Sequence, residues 1–423
     1  RTVDCGLLST MEALFTLISA LIGIVYLTCV VGTKSESSNE ERKTNRPRKR
    51  SKSVHHPVTP LELTFEASYE FALSLLKAAS RTENFVISPV SFGSALAIIN
   101  DGAKNETQGE LTRLLGKTLS PNDVSDLYSS LTRSLLATNS DVTTTIANLV
   151  YLNKNFSLNG EYQSHIEKLY NARCKQIDFK DGDNCAKDAN SFVNELTKGM
   201  IPELVTADDF ANSIAVLFNA VYYKGGWKVK FLRNATHILT FYGINGDRDV
   251  QFMSASLLRS LHYLDDDLTV ISLEYKDPDY SLLVMMPSSD NFEEWRNNLT
   301  ASKIHETKEN LRMGKINLEL PKWKIESSTD GKATLKKCGV TKMFDYKQAD
   351  LSGIANELFI SSVLHRAVIE VNEEGTVAAA VTRSRIRCRS TLAVTPTVTM
   401  KFRKPFLYFL FKGRHILFEG QFC

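Results

Sequence analysis

The chain has 423 residues, 43% of them hydrophobic, with 51 Lys+Arg against 48 Asp+Glu and a formal net charge of +3. That balance excludes a disordered chain for most of the length and leaves enough apolar residues for a large core. Basic and aromatic residues do not interleave as on a nucleic-acid surface, so no nucleic-acid partner is expected.

In chain order, Ala13 to Val31 is an uncharged run, long enough to span a bilayer and also suited to a secretory signal. A signal is the preferred reading, with small residues at Val30 to Gly32 for cleavage and Met11 as a candidate start. A membrane anchor is the alternative, but the basic cluster that follows would tend to hold that side in the cytosol. The expected layout is residues 1–32 as upstream sequence and signal, 33–60 as a disordered basic arm, and 61–423 as one domain.

The arm contains Arg42, Lys43, Arg46, Arg48, Lys49, Arg50 and Lys52. Its plainest reading is a solvated segment. Closely spaced cations also suit a heparin-like sulfated glycosaminoglycan or a dibasic processing site. Four sequons, at Asn105, Asn155, Asn234 and Asn298, agree with export to an extracellular destination. The cysteines lack metal spacing. A Cys174–Cys185 bridge and buried free thiols both remain open.

Within the domain, Leu63, Ala67, Phe71, Leu73 and Leu75 recur at helical spacing over Leu61 to Ala78. Phe85 to Ile87 reads as a short strand, followed by a turn at Pro89 and a largely buried helix through Ile99. Helices are predicted over Glu106 to Leu115 and Asp123 to Leu136, a strand over Thr145 to Leu152, and a helix over Gly160 to Tyr170. Strands then dominate: Ile214 to Tyr223, Leu268 to Tyr275, Tyr280 to Pro287, Lys315 to Ile325, Pro396 to Phe411 and His415 to Phe422. Short helices at Asn190 to Leu196 and Thr329 to Lys337 separate them. Early helices and late antiparallel strands predict an α+β fold.

No HExxH, CxxC pair, G-x-S-x-G, GxxxxGK[ST] or GxGxxG is present, so neither an enzyme nor a metal site has positive support. The distinctive stretch lies between the strand-like Leu364 to Val371 and the alternating Thr397 to Phe402. A connection that long inside a compact domain is usually functional. Its first half, from Thr376 to Thr382, is small and uncharged, and it could slide between two strands with little steric penalty. Its second half places Arg383, Arg385, Arg387 and Arg389 at period two, bait for a protease whose primary pocket ends in a carboxylate. A loop that is cut and then inserts as a strand is a trap.

From Leu61 to Cys423 the chain resembles a serpin. The resemblance rests on "NFVISPVSFGSALAIINDGAKNET", "FNAVYYKGGW", "LPKWKIES", "ADLSGI", "LHRAVIEVNEEGT" and "KPFLYFLF", in family order and spacing. It implies a three-sheet α+β fold with about eight or nine helices, an exposed reactive loop over about 373–396, and a metastable native state. The implied activity is suicide inhibition: a serine protease cuts the loop, is held as an acyl-enzyme, and is distorted as the freed loop enters the central sheet. A trypsin-like protease is the implied partner, with the inhibitor a monomer.

Carried over by position, the hinge is Glu373, Glu374, Gly375, Thr376, Val377, Ala378, Ala379 and Ala380, small and uncharged as in inhibitory members. Family spacing puts the scissile bond at Arg389-Ser390, with Arg387-Cys388 as runner-up. Ser88, Ser91, Asn219 and His365 match the polar cluster under the opening sheet. Trp227 and a Glu373–Lys322 pair match its upper end. A non-inhibitory carrier or chaperone, whose loop is cut without trapping, is the rival reading. A binding module acting through the basic arm alone is another.

Overall fold

The computed structural model describes residues 60–136, 141–376 and 397–423. The leader, the basic arm, Val377 to Ala380 and the arginine-bearing stretch with Arg387, Cys388, Arg389 and Ser390 lie outside them. Helices come first: α1 (Pro60–Ala78), α2 (Pro89–Gly102), α3 (Asn105–Gly116), α4 (Pro121–Leu136), α5 (Gly160–Tyr170) and α6 (Gly182–Leu196) are interrupted only by strands β1 (Phe85–Ile87), β2 (Val142–Asn153) and β3 (Arg173–Ile177). After α6 come β4 (Ala215–Gly226), β5 (Thr236–Gly243), β6 (Gly246–Leu264), β7 (Leu268–Glu274) and β8 (Tyr280–Pro287). The remainder is α7 (Phe292–Asn298), α8 (Ala301–Glu309), β9 (Arg312–Pro321), β10 (Trp323–Asp330), α9 (Gly331–Lys337), β11 (Ser362–Asn372), β12 (Gly375–Thr376), β13 (Thr397–Lys401), β14 (Phe406–Lys412) and β15 (His415–Phe422).

Pro89 opens a helix instead of closing a turn. Ser88 caps α2 by accepting from the Ser91 N–H, and a proline at the first helical position lacks only an N–H that would be unpaired there anyway. Every residue of α2 except Asp101 is buried, which is why its sequence shows little amphipathic period. Gly93 permits α4 to approach, since a Cβ there would sit 2.2 Å from the Tyr128 ring.

The six-stranded sheet runs β10-β11-β12-β4-β2-β3, with β11 and β4 also paired directly and in parallel from Ser362↔Val216 to Val368↔Tyr222. Its inner face, including Leu217, Val221, Val363, Ala367 and Ile369, joins the main core. The outer face packs Val216, Phe218, Ala220 and Val368 against Cys185, Ala186, Ala189 and Val193 of α6. The other strands form one nine-stranded set, because the 19-residue β6 carries the pairing continuously through what the family pattern counts as two sheets. Within it β14, "FLYFLFK", is buried from Phe406 through Phe411, as expected for a strand covered on both faces.

One predicted helix was too short, and several elements, among them two strands, were not predicted. The helix placed at Asn190 to Leu196 begins at Gly182, where Asp181 caps it through the Asn184 N–H. Strands β5 and β6 escaped the hydrophobic pattern because both carry exposed residues on either face. Cys174 and Cys185 are both free and buried, on β3 and α6, so the bridge left open by the sequence is not made. Burial pushes their thiols up, to about 12 and about 11 respectively.

Candidate functional site: the breach between β11 and β4

Two polar clusters lie along the line where β11 and β4 meet. The lower one is built from α2 and three adjacent strands. Sheet register places His365 beside Asn219, and Asn219 beside Asn148 of β2, so three polar side chains cross the sheet in one row. All are buried, as are Ser88 and Ser91 at the start of α2. The Ser88 N–H donates to His365 Nε2 at 3.1 Å, so that nitrogen carries no proton. The ring's Nδ1–H then donates to Asn219 Oδ1 at 2.5 Å. Ser91 Oγ donates to the same oxygen at 2.9 Å, and Asn219 Nδ2 donates to Asn148 Oδ1 at 2.6 Å. Ser88 Oγ reaches Leu417 O at 2.5 Å and ties the cluster to β15. These bonds fix one neutral tautomer of His365, whose ring also stacks on Phe92 at 5.2 Å, while Asn148 Nδ2 at the far end of the row has no hydrogen-bond partner among the described residues.

Burial lowers the His365 pKa to about 3 from its ordinary 6.5. The unfolded chain therefore binds a proton that the native chain refuses between those values. The stability linked to this ring is fully present above about pH 6.5 and declines as pH falls toward 3, at up to about 1.4 kcal/mol per unit. We expect the denaturant midpoint of the wild type to fall between pH 7 and pH 5 more steeply than that of His365→Gln. His415, lowered to about 4 by burial, contributes in the same direction in both proteins, so the comparison is of slopes. Equal slopes would remove His365 from the account.

The upper cluster surrounds the hinge. Strand β12 turns back from β11 and lies between it and β4, with Gly375 opposite Asn372 and Gly226, and Thr376 opposite Val371 and Gly225. The loop was expected to stand clear of the sheet; the hinge residues Gly375 and Thr376 are instead already inside it. Thr376 is fully buried, and its hydroxyl shares a 2.7 Å hydrogen bond with Tyr275. Gly375 has φ +145°, and a Cβ there would lie 2.2 Å from Gly225 O, so only glycine fits. Trp227 stacks on Tyr275 at 4.4 Å and donates its indole N–H to Asn372 O at 2.8 Å.

The two glutamates before β12 are nearly buried and each is held on several sides. Glu373 accepts from Thr236 Oγ1 at 2.8 Å and pairs with Lys322 Nζ at 3.1 Å. Burial alone would raise its carboxyl, but a backbone hydrogen bond, Thr236 and Lys322 together hold it below the ordinary range. Glu374 is bound by Lys230, with Arg233 Nε at 3.7 Å. The main chain repeats the clasp: Trp227 N–H donates to Glu374 O and Phe231 N–H to Glu373 O, both at 3.0 Å.

The structure thus brings Ser88, Ser91, Asn219 and His365 into one cluster, and Trp227, Lys322, Glu373, Glu374, Gly375 and Thr376 into another. Sequence reasoning missed Asn148, Thr236, Lys230, Arg233 and Tyr275. Asn148 left a signal, a lone amide inside the apolar "IANLVYL". The others left none, because their contacts are long-range. Asn105, Asn155, Asn234 and Asn298 are all exposed, and Asn105 Nδ2 donates to Asp350 at 2.7 Å. Among the described residues no group of three or more metal-ligating side chains converges, and no helix is long and apolar enough to cross a membrane.

Comparison with known proteins agrees with this geometry. Residues 66–423 match the family model described as serpin (serine protease inhibitor). The chain is 30% identical to the leukocyte elastase inhibitor of Equus caballus over 86% of its length and 99% of that protein. It is 34% identical to Iripin-1 of Ixodes ricinus, covering 85% of this chain and 94% of the relative. Among solved structures, native Tengpin, a thermophilic serpin, superimposes with TM-score 0.78 at 26% identity over 87% of this chain and 95% of the other. Serpin48 of Tenebrio molitor gives TM-score 0.75 at 30% identity over 86% and 99%. With the family match covering nearly all of the described residues and the hinge seated at the head of the β11–β4 seam, the chain belongs to the serpin family, whose members are protease inhibitors and not enzymes.

Proposed function

We propose that the chain is a secreted suicide-substrate inhibitor of trypsin-like serine proteases, cut at Arg389-Ser390 and completed by insertion of the cut loop between β11 and β4. The observation that carries this reading is the register of β12. Its side chains alternate with Thr376 inward, so the same pairing continued residue by residue would turn Ala378, Ala380, Thr382 and Ser384 inward as well. Thr382 would arrive level with Asn219 and His365, where a hydroxyl suits the polar row. Partners end at Ser362 on β11 and Ala215 on β4, so pairing would stop after Arg385 or Ile386. Arg387 and Arg389 both fall beyond that end. A protease esterified there would have been carried about 35 Å, at roughly 3.3 Å per residue.

Target class follows from the loop and not from the relatives. A leukocyte elastase inhibitor is named for a different protease, and the arginines here suit a primary pocket ending in a carboxylate. Export is supported by the leader and by the exposure of all four sequon asparagines. The arm from Arg42 to Lys52 would add a sulfated glycosaminoglycan as second partner.

The test is to mix the protein with trypsin, run a denaturing gel and weigh the released C-terminal peptide. A protease-sized covalent adduct with a peptide beginning at Ser390 is expected. Clean cleavage without adduct would favour the non-inhibitory alternative.

A further inference from the structure

The sequon at Asn234 is built into the hinge clasp. Its threonine, Thr236, is the residue that donates to Glu373, and the residue before it, Arg233, is the one that approaches Glu374. Asn234 itself is exposed in the short 3₁₀ turn Arg233–Ala235. On the other side, Ala235 opens onto a hollow of about 350 Å³ lined by Ser254, Ser256, Asn317, Glu319 and Thr399. Thr399 belongs to β13, which among the described strands pairs with β9 alone and which follows the reactive loop in the sequence. Asn234 is thus flanked by Arg233, which approaches Glu374 at the first stem of the loop, and by Ala235, which lines the same hollow as Thr399 at the second.

The geometry points to Asn234 as a glycan-bearing gate on the reactive loop: a sugar attached there screens the loop stems and slows protease docking. The inference rests on the reading that the chain passes through the secretory pathway. The hollow suits this occupant, since it is open and presents hydroxyl, amide and carboxylate groups that hydrogen-bond sugar hydroxyls as readily as water. Docking requires the protease to close over the loop between its stems, and a branched sugar at that place restricts the permitted approaches and lowers the association rate. Insertion proceeds along the β11–β4 seam below the clasp. The glycan is thus expected to alter how fast the loop is reached and not what happens after it is cut.

The experiment expresses the full chain in a glycosylating eukaryotic host, beside Asn234→Gln and Asn155→Gln. Site occupancy is read by peptide mass, and the rate of loop cleavage by trypsin is followed with adduct and free cleaved product counted separately. Occupied Asn234, with cleavage at least about threefold faster in Asn234→Gln, little change in Asn155→Gln and the same adduct-to-product ratio in all three, is expected. An unoccupied Asn234, an unchanged rate, or an equal gain from removing either sugar overturns the proposal. Cleavage without any adduct would count against trapping alone, because the cleavage rate still reads the gate.

Discussion

Thr376→Arg is expected to turn the inhibitor into a substrate, with covalent adduct falling about 100-fold relative to cleaved product while the loop is cut at an unchanged rate. Thr376 is fully enclosed, its hydroxyl on Tyr275 and its backbone paired to Val371 and Gly225. A guanidinium in that slot has no carboxylate to meet, since Glu373 and Glu374 are already taken by Lys322, Thr236, Lys230 and Arg233. An uncompensated buried charge costs several kcal/mol, and a barrier raised by only about 3 kcal/mol slows insertion about 100-fold. Deacylation of the protease is untouched and wins the race. Thr376→Ser keeps the hydroxyl and is expected to keep the adduct, which separates lost function from lost folding. If Thr376→Arg formed as much adduct as the wild type, loop insertion along this seam could not be the trapping step.

How much of this was legible in the sequence depends on the range of the interaction. The small tract, the period-two arginines and the strand pattern around Leu364 to Val371 are local, and they carried the trap reading without coordinates. The buried β14 was equally plain, since six consecutive uncharged large residues leave no solvent face. Strand β6 was not, because its sides are both part-exposed and period two is blurred. Thr236, Lys230 and Arg233 were invisible for another reason: nothing near them in sequence needs a cation or a hydroxyl, and their partners lie more than a hundred residues away. The early seating of Gly375 and Thr376 also needed the structure. Their small size permits entry into the sheet, but only Gly225 and Gly226 on the facing strand show that room exists before cleavage.

Arg389→Ala is expected to slow adduct formation with trypsin at least about 10³-fold, whereas Arg387→Ala changes it less than about fivefold. A pocket that ends in a carboxylate loses a charged partner when the bait is truncated, and sites built for such a group reject analogues lacking it by about 10⁴ or more. If β12 extends in its present register, the neighbouring arginine would be a poor substitute. Such pairing would end opposite Ser362 on β11 and Ala215 on β4, so a protease joined at Arg389 would be separated from the last inserted residue by a short spacer, while one joined at Arg387 would be pulled against the end of the sheet sooner. In Arg389→Ala, trypsin is therefore expected to cut slowly after Arg387 and release a peptide beginning at Cys388, mostly without adduct. The measurement needs a reductant, because a mixed disulfide on Cys388 would obstruct either bond. Full adduct in Arg389→Ala, with its peptide starting at Cys388, would move the bait to Arg387 and show that the trap tolerates the shorter tether.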